Sequence, residues 1–122
     1  MTTENDIIEF LRSRLDEDET AALRATPPGV WMVEPDGTGA WTVVDEDAGE
    51  TVTRDAAHYT AHHIAHHSPD RALREVAAKR QLLRWVMNWP MRPAPPSSVD
   101  GVLEMLALPY SDHPDYREEW TP

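Results

Sequence analysis

The sequence predicts an α+β fold, a mainly α, four-helix domain with a β-hairpin packed on the helices. Three observations carry this. Apolar residues recur at helical spacing in four stretches. Two runs of alternating apolar residues flank a glycine-bearing turn. The 122 residues include no cysteine, so the core must come from packing rather than disulfides. At this length a single domain, residues 1–122, is expected, with about two thirds of the unfolded surface buried.

The first helix is expected over residues 4–25. Ile7, Ile8, Leu11, Leu15, Ala22 and Leu23 form one apolar stripe. Thr2 or Thr3 suits the N-cap, and Glu4 and Asp6 suit the positive end of the helix dipole. Thr26-Pro27-Pro28-Gly29 stops the helix. Residues 30–53 read as a hairpin that can extend to three short antiparallel strands. Its turn is Pro35-Asp36-Gly37-Thr38-Gly39, an acidic turn spans Asp45 to Gly49, and Glu50 to Thr53 is the third strand. Trp31 shares a strand face with Val33, and Trp41 with Val43. Where those faces coincide, two indoles cover the helices as core rather than as a ligand cage.

Residues 55–67 read as a histidine-dense helix, N-capped by Asp55, with Ala57, Ala61 and Ile64 on a narrow inward face. Ser68-Pro69-Asp70 is a strong start signal for the next helix, residues 69–89. That helix is expected to bury Leu73, Val76, Leu83 and either Val86 or Met87. Arg80 falls among them and must snorkel or pair. A proline-rich linker follows over residues 90–98. The fourth helix, residues 98–108, is capped by Ser98, carries Val99, Val102, Leu103 and Leu106 on one face, and ends at Pro109. In the tail, residues 112–122, Tyr116 and Trp120, with Tyr110 before it, are expected to pin the chain end to the body.

The formal charge of -11 disfavours unspecific nucleic-acid binding, since phosphates are repelled. The charge is uneven. Residues Asp70 to Arg92 hold six basic and two acidic groups, a local balance of +4. No apolar run reaches membrane-span length, and the first residues are acidic and polar rather than those of a signal peptide, so a soluble cytoplasmic protein is expected.

Five of the six histidines lie within ten residues. His58, His62 and His66 stand at i, i+4 and i+8 on one helix face, and His63 and His67 form a second pair. An i, i+4 pair can chelate zinc or nickel, but a straight helix cannot wrap a third ligand around the ion. A complete site needs a donor from elsewhere, such as His113 or an acidic loop. The simpler reading is a set of half-exposed polar residues that titrate near neutrality. Asp16-Glu17-Asp18-Glu19 reads either as a solvated face paired with arginines of the later helix or as an acidic partner-binding patch through Asp16, Glu17 and Glu19. Leu82, Trp85 and Trp89 form a second stripe, either a cap on the core or an interaction patch. No nucleophile elbow, phosphate loop or His-Glu-x-x-His motif is present, so no catalytic residue is assigned.

Four segments together carry a resemblance: Ile8-Glu9-Phe10-Leu11 to Leu15-Asp16-Glu17-Asp18-Glu19; Ala25-Thr26-Pro27-Pro28-Gly29-Val30-Trp31; Ala65 to Val76 with Lys79-Arg80; and Leu106-Ala107-Leu108-Pro109-Tyr110 to Trp120. The chain resembles the DUF6221 family, small proteins of actinobacteria and their phages, over nearly its whole length. A looser similarity to Ead/Ea22-like phage proteins is limited to the Ala-Thr-Pro to Trp turn and the Ala-His-His-Ser-Pro helix entry. The resemblance implies no catalytic residue. Relatives with cysteines ahead of the last helix differ from this chain, which has Met91 to Pro96 there. The expected function is a non-enzymatic protein-interaction or accessory factor, with no cofactor and with a protein or a second copy of the chain as partner. The alternatives are a divalent-metal protein using His58, His62 and His66, and an acidic DNA mimic.

Overall fold

The computed structural model describes residues 3–88 and 97–122. The helices are α1 (Thr3–Arg24), α2 (His58–His66), α3 (Pro69–Met87) and α4 (Ser97–Ala107). Strands β1 (Trp31–Pro35), β2 (Trp41–Asp45) and β3 (Thr51–Ala56) form one antiparallel sheet in the order β1-β2-β3, so the α+β expectation holds and the third strand is present. Two 3-10 turns, Leu108–Tyr110 and Glu118–Trp120, complete the described elements. Contacts gather into two compact units, one of Met1–Glu17 with Val76–Pro122 and one of Asp18–Glu75. The expected linker at 90–98, the Thr2 cap and the side chains of Thr3, Glu4, Ser98 and Val99 lie outside what is described.

The first unit is helical and packs around aromatic rings. Ile7, Ile8, Leu11 and Leu15 of α1 are buried with Val76, Leu83 and Val86 of α3 and Leu103 and Ala107 of α4. The alternative between Val86 and Met87 resolves on Val86, which is fully buried. Phe10, which the predicted stripe passes over, is the centre of this core. Its ring meets Tyr110 at 6.3 Å, Tyr116 at 6.1 Å and Trp120 at 5.1 Å between centroids. The tail is therefore held as expected, by edge and tilted ring contacts that add to the burial of the rings. Arg14 is also buried. It lies over the Phe10 ring at 5.2 Å, reaches Glu17 Oε1 at 3.0 Å and meets Nε2 of His113.

The second unit is a sheet with α2 against β1 and β2. Val33 pairs with Val43, Trp31 with Asp45 and Pro35 with Trp41, so the two predicted indole faces do coincide. Val43 and Val44 on the central strand and Ala61 on α2 are its buried apolar centre, and both indoles are half-buried. Its turns are built by carboxylates. In the β1–β2 turn, Asp36 accepts the Thr38 amide at 2.8 Å and the Thr38 hydroxyl at 2.6 Å. These bonds hold its carboxyl below the ordinary value of 3.8. In the β2–β3 turn, buried Asp45 accepts the amides of Ala48, at 2.7 Å, and Glu50.

Three sequence expectations are corrected. Asp55 does not cap α2; it lies within β3, one residue before its end, in a left-handed conformation, φ 57°, and Ala57 precedes the helix with no side-chain cap. An aspartate tolerates that conformation better than a bulky residue would. Ala57 is exposed, and the inward face of α2 rests on Ala61 with Ile64 half-buried. Leu23 leaves the predicted stripe, 66% exposed, while Ala22 is buried.

Candidate functional site

The regularity of α2 places His58 and His62 one turn apart. Their Nε2 atoms are 2.9 Å from each other, so in the neutral pair one ring donates and the other accepts. Trp41 of β2 lies beside both, 4.6 Å from His58 and 6.2 Å from His62 between ring centroids, and exposed Tyr59 meets His58 edge-on at 5.1 Å. Sequence reasoning missed this aromatic frame. Tyr59 is local, but Trp41 reaches the histidines only through strand-to-helix packing.

His66 does not join the pair. Its Nδ1 takes a long bond, 3.4 Å, from Arg71, which also binds Glu75 at 3.0 Å. His66 instead lines a groove of about 250 Å³ with His62, Ala65, Trp31, Met32 and Val33. The second pair is also close. His67 donates from Nδ1 to the His63 carbonyl at 2.8 Å. His113, a candidate extra ligand, has both nitrogens engaged: Nδ1 accepts the Asp115 amide at 3.0 Å and Nε2 faces Arg14. Among the described residues no group of three or more His, Cys, Asp or Glu is placed to hold an ion together.

The acidic run on α1 divides. Asp16 pairs with Arg80 of α3 at 2.8 Å, which is how that arginine is accommodated beside the core. Glu17 pairs with Arg14, and Glu19 is half-buried. Of the second α3 stripe, Trp85 is 54% and Leu82 37% exposed, and Trp89 lies outside the described residues. No described helix is long and apolar enough to cross a membrane.

An acidic helical chain with a short antiparallel sheet, a histidine pair on one helix and a tail that buries Trp120 defines an α+β protein. The chain belongs to the DUF6221 family, a family of unknown function, whose model matches residues 4–122. No curated protein and no solved structure matches it.

Proposed function

We propose that this protein is a non-enzymatic interaction factor that works in the cytoplasm of an actinobacterium or of its phage-infected or prophage-bearing cell, with α3 as its contact face. The observation that carries the reading is the exposed Trp85 beside exposed Leu82. An indole on a rigid helix offers large area at low entropic cost, which is why tryptophan anchors protein interfaces. The basic α3 and the acidic excess elsewhere give a partner a strongly polarised surface for orientation. Affinity capture from the native host tests this. The wild-type chain should retain a partner, or a second copy of itself, that Trp85→Ala and Leu82→Ser release. Retention of the same set by both variants would sink the proposal.

A second reading, a divalent-metal protein, is favoured by the His58–His62 geometry. The two Nε2 atoms already lie 2.9 Å apart on one helix face, and an i, i+4 pair of this kind can chelate zinc or nickel once the shared proton leaves. Metal analysis of untagged protein decides it. Stoichiometric zinc or nickel lost in His62→Ala supports the reading, and sub-stoichiometric metal ends it.

A further inference from the structure

The arginines of α3 have a second consequence, on the side of the helix that carries Leu83 rather than Trp85. Within the helical unit, Arg12 and Asp16 of α1 and Arg80 and Arg84 of α3 rim a cleft of about 250 Å³. Its floor is apolar, made by Leu15, Leu83 and Met87. The lining thus holds three guanidiniums and one carboxylate, a local balance of +2 in a chain of -11.

The pairing inside the cleft is incomplete. Asp16 is held by Arg80 at 2.8 Å. Arg12 donates to the Met87 sulfur at 3.4 Å, and a thioether is a weak acceptor that leaves the charge uncompensated. Among the described residues no carboxylate lies in ion-pair reach of Arg12 or Arg84. Neutralising the acidic first helix accounts for Arg80 but not for these two. Two guanidinium forks at the mouth of one cleft match a dianion that accepts several hydrogen bonds, and planar forks suit phosphate oxygens in particular. The cleft has more room than a bare phosphate group fills, and Leu15, Leu83 and Met87 offer contact to an apolar body. Repulsion from the distant carboxylates is screened beyond about 8 Å at physiological ionic strength, so the local excess decides.

We infer that this cleft binds a small phosphate monoester, with the dianion held by Arg12 and Arg84 and the organic body laid on Leu15, Leu83 and Met87. Asp16 limits the affinity because it faces the same charges.

The test is a titration of the full chain followed by NMR at the arginine Nε–H groups, with phenyl phosphate, inorganic phosphate and benzoate as probes. Phenyl phosphate should shift Arg12 and Arg84 saturably and bind more tightly than inorganic phosphate or benzoate, more weakly as salt rises. Arg84→Gln should weaken it about tenfold, the usual scale of one lost charge-assisted contact. Asp16→Asn should tighten it, and Arg54→Gln, at an exposed position of β3, should leave it unchanged. Non-saturating shifts with phenyl phosphate overturn the inference. So does equal binding of benzoate, weakening in Asp16→Asn, or a loss in Arg54→Gln as large as in Arg84→Gln. Unchanged backbone spectra of the variants show that each is folded.

Discussion

The two units of this chain reach order by different routes. The helical unit surrounds Phe10 with Tyr110, Tyr116 and Trp120 and buries a continuous set of leucines, isoleucines and valines. The sheet unit has few buried apolar side chains, centred on Val43, Val44 and Ala61, and invests in turns closed by Asp36 and Asp45. Its two indoles stay half-buried: Trp41 lies against His58 and His62, and Trp31 donates to the Pro27 carbonyl. Two strategies thus coexist in one short sequence. Where apolar area is plentiful, burial dominates stability; where it is scarce, local hydrogen bonds must set strand connections and register.

The contrast is sharpest at Phe10. Phe10→Ala should cost about 3–5 kcal/mol, the range for emptying an aromatic core site, read as a lower urea midpoint with loss of near-ultraviolet dichroism. A cost under about 1 kcal/mol would dissolve the distinction between the units. In the sheet unit, Asp45→Ala should cost about 1–3 kcal/mol by removing the acceptor for the Ala48 and Glu50 amides. Hydrogen exchange should rise first at β2 and β3 rather than in α4; uniform exchange would argue that the carboxylate has no local role.

A smaller effect is expected at Asp55. Asp55→Gly should stay within about 0.5 kcal/mol of the parent, since relief at positive φ offsets the added chain entropy. Asp55→Val should lose about 1–2 kcal/mol. Equal stability of the two variants would count against the left-handed backbone. The smallest effect is at exposed Asp36. Its carboxyl is depressed by Thr38, so the stabilisation is present above the ordinary carboxylate value of 3.8 and is lost as pH falls through the lowered one. Thr38→Ala should return the Asp36 titration, followed by carbon NMR, upward toward 3.8. An unmoved titration would refute the cause.

Much of the fold was legible in the sequence because period and punctuation act locally. Thr26-Pro27-Pro28-Gly29, the Asp36-Gly37 turn and Ser68-Pro69 each mark a boundary that the backbone obeys. The failures share a cause. Asp55 looks like a cap by residue type, but β3 extends far enough to take it, and strand pairing is not a local property. Phe10 was missed because a stripe drawn from aliphatic spacing says nothing of four rings arriving from a segment about a hundred residues later. For the candidate sites, the i, i+4 spacing alone brings His58 to His62, whereas the departure of His66 toward Arg71 depends on the start of the following helix.

Composition and periodicity alone determined the helices, the hairpin, the charge asymmetry and the histidine face, since each depends on neighbours within a turn or two along the chain. Only the tertiary structure decided which arginine meets Asp16, which are left over for an anion, and which ring the tail closes upon. Those choices are settled by contacts between segments far apart in sequence, and the spacing of residues within one helix carries no information about its partner.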